Sequence, residues 1–272
     1  MIKQVLVVKW GTKYGPEYVN RMYGMVSRNI TGPFRFVCLT DDATGLRKEV
    51  IAEPLPELGC AWPTGTFGQW RKVVLWGANV PGLSPGPALF VDLDSVIVGS
   101  IDEYFEIGEP NDVFLARNWT KPHRRLGQTS VFRFPVGKYP FILERFRSDP
   151  QGVADRCRYE QHYITESIPG GVKFWPRAWT RHFRLHCLPI FPLRYFVPAR
   201  LPKSARIITF PGHPNPGEAM EGRWLRNQTA APSRLRHLLD TFYASRRLEP
   251  RPLRHVTRYL LPVPWLKRYW VE

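Results

Sequence analysis

Long apolar runs are what this 272-residue chain most plainly lacks: nowhere do 18 or so apolar residues follow one another, so no membrane-spanning helix is expected. The opening MIKQVLVVKWG carries an apolar core too short for a secretory signal, which makes a reducing cytoplasm the expected setting. Cysteine is scarce as well. Cys38, Cys60, Cys157 and Cys187 form no C-x-x-C pair, which argues against a zinc knuckle or a thioredoxin-type centre and for free, buried thiols. The 27 prolines and 21 glycines follow no repeat period, so they read as turns and not as collagen-like or low-complexity sequence. Acidic residues are rare at one end: residues 171–272 hold 19 Lys+Arg against 5 Asp+Glu, that is +14 of the net +16. That end suits an anionic partner: nucleic acid, a membrane surface or a phosphorylated substrate.

What is present is a core. Apolar residues make up 43% of the chain and aromatics 14%, enough for one large α/β domain. Val5–Val8 is a short apolar run leaving into Trp10-Gly11, which suits a buried parallel strand. Residues 16–29 place Tyr18, Met22, Met25 and Val26 at helical spacing behind Pro16. Phe34–Thr40 is a second strand, stopped by Asp41-Asp42. This β-α-β opening predicts a parallel sheet with its ligand crevice at the carboxyl ends of the strands. Residues 52–68 read as a Pro/Gly loop and 69–78 as a helix. DVFLARN, TSVFRF and ARIITF read as strands, Pro140–Arg147 as a helix, and residues 233–247 as another with Leu235, Leu238, Leu239 and Phe242 in register. Residues 1–220 are taken as the catalytic domain and 221–272 as a basic helix with a tail broken by Pro250, Pro252, Pro262 and Pro264.

The chemistry concentrates in ALFVDLDSVIVGSID, where Asp92 and Asp94 interrupt an apolar stretch. In an extended strand both carboxylates share one face, and two such charges call for a cation. Oxygen ligands of this kind select Mg²⁺ or Mn²⁺, whose shell substrate phosphates and water complete. The plainer alternative is a strand end whose acids are solvated or cap the next helix. Two further readings stand beside these: a haloacid-dehalogenase-like phosphatase, whose nucleophile strand also reads apolar-D-x-D, and a basic nucleic-acid-binding module without enzymatic function. His182 and His186 have helical spacing for zinc but no third ligand nearby.

FVDLDSVIVGSIDEYF resembles the D-x-D strand and following turn of glycogenin-like GT-A glycosyltransferases. Other pieces agree in order: WGTKYG is similar to the nucleotide-binding first loop, FRFVCLTDD to the second strand and QWRKVVLW to the helix whose basic residue reaches the nucleotide-sugar. GQTSVFRF, YEQHYITE and FPGHPNPGEA are similar to the family's N-S-G/S, D-Q and F-H-G-x-P-K-P segments. The resemblance implies a Rossmann-like GT-A fold, a mixed sheet flanked by helices, over about residues 4–220. It implies transfer of a hexose from a nucleotide-diphospho-sugar, with a UDP-sugar favoured, to a saccharide or lipid-linked acceptor, and no nucleic-acid partner. Asp92 and Asp94 would hold the metal, and Glu160 and Gln161 would face the sugar. Trp10, Gly11, Tyr14, Asp41, Asp42, Arg71, Lys72, Gln128 and Gly212 would bind the donor. The family's closing-loop histidine is Pro211 here, so His213 is the nearest candidate third ligand. Its lysine is Asn215, leaving Arg206 or Arg223 as replacements. RAWTRHFRLHCL falls on the acceptor side, where Arg181 and Arg184 would read an anionic group. The tail's Leu260, Leu261, Val263, Trp265 and Leu266, flanked by Arg254, Arg258, Lys267 and Arg268, suit the surface of an anionic membrane, with packing onto the domain as the alternative.

Overall fold

The computed structural model describes residues 2–66, 70–224, 231–246 and 255–272. Strand β1 (Lys3–Lys9), helix α1 (Pro16–Asn29) and strand β2 (Phe34–Thr40) open the chain, where apolar runs and the proline at the first helical turn predict them. The segment after β2 differs from the expected loop: Ile51–Pro54 pairs with β2 as strand β3. It sits at the sheet edge, where Pro54 needs no amide to donate. The next helix is a 3-10 helix over Trp70–Trp76, with Trp70, Val73, Val74, Leu75 and Trp76 all buried. The β-branched pair and the flanking indoles are poor α-helix formers. Strands β4 (Gly86–Val91) and β5 (Ser95–Ile97) flank the aspartate pair. Then come α2 (Glu103–Glu106), β6 (Phe114–Arg117), β7 (Gly127–Val136), α3 (Phe141–Ser148), α4 (Pro150–Cys157) and α5 (Glu160–Ser167). Strands β8 (Lys173–Phe174) and β9 (Thr180–His182), helix α6 (Phe183–His186), strand β10 (Ile207–Thr209), and helices α7 (Pro216–Glu221) and α8 (Arg234–Arg246) follow. The expected helix start at Gln69, the end at Arg247, and Pro250, Pro252 and Arg254 lie outside the described residues.

Among the described residues, seven strands form one mixed sheet in the order β3-β2-β1-β4-β7-β6-β8. β1 pairs in parallel with both β2 and β4, while β7 runs antiparallel to β4 and β6. The order reverses between β1 and β4, and this switch point opens a crevice at the carboxyl ends of those two strands. Side chains alternate between two cores, as period-2 geometry requires. Val5, Val7, Leu89 and Val91 face the α1 side; Leu6, Ala88 and Phe90 face the side of the 3-10 helix and α3. A small second sheet, β5-β10-β9, continues from β4 past the aspartate turn. The described cysteines are free thiols, with Cys38, Cys157 and Cys187 buried.

The tail packs on the domain. Leu260, Val263, Leu266 and Trp270 are buried, Trp265 Nε1 donates to Ala199 O at 3.2 Å, and Trp270 lies with its ring 5.3 Å from Tyr18 and under the Arg21 guanidinium. Arg28 donates to the carbonyls of Val271 and Glu272 at 2.6 and 2.8 Å. Leu260, Val263 and Leu266 are therefore core and Leu261 and Trp265 partly buried, so of the two readings of the tail the one in which it packs onto the domain is the one observed. Leu266→Ala is expected to cost about 3 kcal/mol through the cavity it leaves. Urea unfolding checks this, and an unchanged midpoint would detach the tail from the core.

Candidate active site

The aspartate pair sits just beyond β4, in a turn and not in extended strand. Val91 is the last strand residue, Asp92 N donates to Ser130 O at 2.8 Å, and Ser95 N closes back on Asp92 O at 3.0 Å. The turn is needed because the chain leaves the large sheet here and enters the small one; Phe210 N, at the end of β10, donates to Asp94 O at 2.9 Å. Lys72, on the 3-10 helix, places its ammonium 2.6 Å from Asp92 Oδ1 and 2.8 Å from Oδ2, and also donates to Thr129 O at 3.1 Å. Tyr14 donates its hydroxyl to Asp94 Oδ2 at 3.0 Å. Asp94 is pushed up to about 7, first by burial and then by the charge of Asp92. Burial, with Asp94 beside it, likewise raises the Tyr14 phenol above its usual range. Burial and Asp92 thus outweigh what Lys13, Lys72 and Tyr14 offset at Asp94.

A cleft of about 550 Å³ opens over this turn, lined by Trp10, Gly11, Thr12, Lys13, Tyr14, Trp62, Arg71, Lys72, Asp92 and Asp94 among others. It occupies the crevice between the ends of β1 and β4. Gly11 takes a positive φ of 62°, and its amide donates to Asp41 Oδ2 at 2.8 Å, which fixes the loop after β1. Asp42 caps its own turn by accepting from Thr44 N at 2.9 Å, while Lys9 donates to its carbonyl. Neither aspartate lines the cleft, so both shape the loop that does. Trp10 and Trp62, each nearly half exposed, stack with ring centroids 6.3 Å apart at the mouth. Lys13 lies 4.6 Å over the Tyr14 ring. The Nε of Arg71 is buried without a partner.

Glu160, at the first turn of α5, lies behind Lys72. Its Oε2 accepts from Thr129 Oγ1 at 2.7 Å, its Oε1 is buried without a partner, and burial pushes its carboxyl up to about 7. Gln161 follows it on α5 and its carbonyl accepts from Thr165. Gln128 is folded back on its own strand, its amide bonded at both ends to Ser130. Gly212 lies in the loop after β10 at φ 80°.

His213 Nδ1 is 2.9 Å from Glu218 Oε2, which also accepts from Asn215 N in the capping box that starts α7. Among the described residues no group of three His, Cys, Asp or Glu side chains is gathered as a metal would need, so His213 does not complete a set with the aspartates. Two carboxylates of hard oxygen, one carrying uncompensated burial, still fit Mg²⁺ or Mn²⁺, which commonly takes only one or two carboxylates and finishes its shell with phosphate and water. Arg206 is committed to Glu103 at 2.5 Å and Arg223 to Glu221 at 2.6 Å, so the basic groups on the cleft are Lys13, Arg71 and Lys72. Sequence reasoning missed Lys13 and Trp62. Lys13 lay inside the quoted WGTKYG, whereas Trp62 sits in a Pro/Gly loop with no periodicity to mark it.

The raised Glu160 carboxyl gives a pH test. An acid whose folded pKa exceeds its unfolded one contributes stability that is complete below the unfolded value and lost as pH rises through the folded value. From an ordinary 4.5 to about 7 the loss reaches roughly 3 kcal/mol. Glu160→Gln keeps an acceptor for Thr129 and removes the titration, so its melting temperature should gain on the parent between pH 5 and 8. Parallel melting curves over that range would refute the assignment.

No protein-family model and no curated protein matches the chain. Solved structures do. The galactosyltransferase LgtC, in complex with donor and acceptor sugar analogues, aligns over 97% of this chain and 99% of its own at 13% identity and a TM-score of 0.57. An active-site mutant of LgtC aligns over 87% and 95% at 12% identity and 0.55. The glycosyltransferase GlyE of Streptococcus pneumoniae TIGR4 aligns over 87% of this chain and 59% of its own at 12% identity and 0.53. A mixed sheet with its switch point between β1 and β4, and a match to LgtC along nearly the whole length of both chains, identify the architecture: the chain has the GT-A fold of these glycosyltransferases.

Proposed function

We propose that the protein is a glycosyltransferase that moves a sugar, a hexose in the first instance, from a nucleotide-diphospho-sugar to a saccharide or lipid-linked acceptor. The observation that carries this reading is the cleft itself: a switch-point crevice where buried Asp94 and Asp92 face Lys13, Arg71 and Lys72 across one opening. Acids and bases on one wall suit a ligand that is both anionic and metal-bridged, and a nucleoside diphosphate is such a ligand. In this reading Trp10 and Trp62 hold the base by stacking, and Asp41 holds the Gly11 loop that shapes the pocket. Lys13 and Arg71 take diphosphate oxygens, and Asp92 and Asp94 hold Mn²⁺ or Mg²⁺. The ion supplies Lewis-acid stabilisation of charge on the departing diphosphate. Lys72 bridges Asp92 to Thr129 and so keeps the carboxylate aimed into the cleft. Glu160, buried behind Lys72, backs the sugar side of the cleft through Lys72 and Thr129, with Gln161 next to it on α5. Gln128 and Gly212 support the walls through backbone placement. No observation favours a phosphatase or a nucleic-acid-binding module.

The acceptor side includes a membrane in this reading, peripheral on the cytoplasmic face, but through a different surface from the tail. On α8, Leu235, Leu238, Leu239 and Phe242 are 45–68% exposed, as are Ile190 and Phe196 at 74% and 64%. Arg234 lies over the Phe196 ring at 5.2 Å, which joins the two segments. Exposed aliphatic and aromatic groups among arginines suit an anionic bilayer interface. Among the described residues no helix is long and apolar enough to cross a membrane.

Two experiments test these readings. A thermal-shift screen of UDP-, GDP-, CMP- and dTDP-sugars with and without Mn²⁺ should give the largest rise for a UDP-sugar with metal, roughly 5 °C at saturation. The rise should vanish in Asp92→Asn/Asp94→Asn; no shift with any nucleotide sinks the proposal. In flotation with phosphatidylglycerol vesicles, Leu235→Glu/Leu238→Glu should move the protein from the lipid to the aqueous fraction. Equal recovery of parent and variant would end the membrane reading.

A further inference from the structure

A second cavity, of about 240 Å³, is lined by Arg117, Arg177 and Arg181 together with Asn118, Trp119, Trp175 and His186, and no Asp or Glu is among its lining residues. Guanidinium groups stay charged at any working pH, so the cavity carries a concentrated positive charge with no acid among its described lining residues. Among the described residues no Asp or Glu pairs with these arginines. Arg117 rests on the Phe174 ring at 4.3 Å and reaches one carbonyl, that of Arg124, at 3.5 Å. Arg181 has its Nε buried without a hydrogen-bond partner. Arg177 is exposed at the rim. His186 is held below its usual range by burial and by Arg181, so near neutral pH it adds a polar wall and not a further charge. Trp119 anchors the opposite side through Nε1, which donates to Thr180 O at 3.3 Å.

Topology fixes where this cavity lies. β6 and β4 both run antiparallel to β7, so they run in the same direction, and Arg117 at the end of β6 opens on the same sheet edge as Asp92 at the end of β4. β8 is parallel to β6 and brings Trp175 to that edge as well. Among the described strands β7 stands between β4 and β6, about 10 Å across at ordinary strand spacing, and Val91 pairs with Val131 whereas Arg117 pairs with Gly127, so the end of β6 also lies four β7 residues farther along. The arginine cavity therefore opens at the carboxyl-end side of the same sheet as the aspartate cleft, offset from it along β7.

We propose that this cavity binds an anionic group, a carboxylate or a phosphate, borne by the acceptor saccharide, so that the acceptor class is acidic sugars. The inference rests on the glycosyltransferase reading for the word acceptor and on the cavity alone for the anion. Planar guanidinium forks pair with either anion in bidentate fashion, and Trp119 offers an apolar face for a sugar ring. A neutral saccharide would leave the positive charge of the three guanidinium groups uncompensated.

The test is a chemical-shift titration of the full-length protein that follows the Trp119 indole N–H, with digalacturonate, glucose 6-phosphate, lactose and inorganic phosphate as probes and UDP with Mn²⁺ as a separate titrant. Digalacturonate or glucose 6-phosphate should shift the indole saturably, and whichever binds tighter identifies carboxylate or phosphate as the source. Arg177→Gln/Arg181→Gln should weaken that binding at least about tenfold and leave UDP binding unchanged. Arg177→Gln alone, at an exposed rim position, should weaken it in the same direction without altering the melting temperature. Lactose binding as tightly as the acidic probes, inorganic phosphate matching glucose 6-phosphate, or undiminished binding in both variants would each overturn the proposal. UDP failing to bind while an acidic sugar binds would instead refute the donor reading and leave this cavity's assignment standing.

Discussion

Two carboxylates share one buried turn, and the surroundings of that turn follow from this. Asp94 is almost wholly removed from solvent beside Asp92, a placement that would be costly unless positive groups and hydrogen-bond donors converged on it. They do converge. Lys72 reaches Asp92 from the 3-10 helix, Tyr14 reaches Asp94 from the loop after β1, and Lys13 adds its charge from the same loop. The backbone is held as firmly, by Ser130 on one side and Phe210 on the other. The first loop, the 3-10 helix, β7 and the end of β10 are thus all tied to one three-residue segment.

The same arrangement links packing to chemistry. The apolar alternation of β4 buries its side chains on both faces of the sheet, so polar residues are tolerated only where the strand ends. At that end the switch point leaves space for the aspartate cleft, and the carboxyl end of β6, two strands from β4, supplies a wall of the second cavity. One cavity mixes acids with bases and the other is basic throughout. A division of this kind is what the proposed donor and the proposed acidic acceptor would each require.

Much of this was legible in the chain. β1, α1 and β2 fall where apolar runs, a leading proline and a closing aspartate pair put them, because local periodicity and local backbone preference agree there. The D-x-D stretch was legible as a site but not as a shape: an i, i+2 pair looks alike in a strand and in a turn, and only its pairing with Phe210 and Ser130 decides. The tail was ambiguous for a related reason. Leu260, Val263 and Leu266 among arginines suit a membrane or a core equally, and contact with α1 and α7 made them core, while the exposed apolar face appeared on α8 instead.

By itself the sequence determined the order of the elements, the location of the acidic pair and the concentration of positive charge toward one end, because each of these is carried by neighbours in the chain. The tertiary structure alone decided which residues share a wall. Trp10 meets Trp62, Lys72 meets Asp92, and Arg117 shares a cavity with Arg177 and Arg181 only because segments distant in sequence, from both sheets and the loops and helices between them, fold onto one another. No local propensity records that juxtaposition, since hydrogen bonding between strands and burial of their faces set it only once the chain has closed on itself.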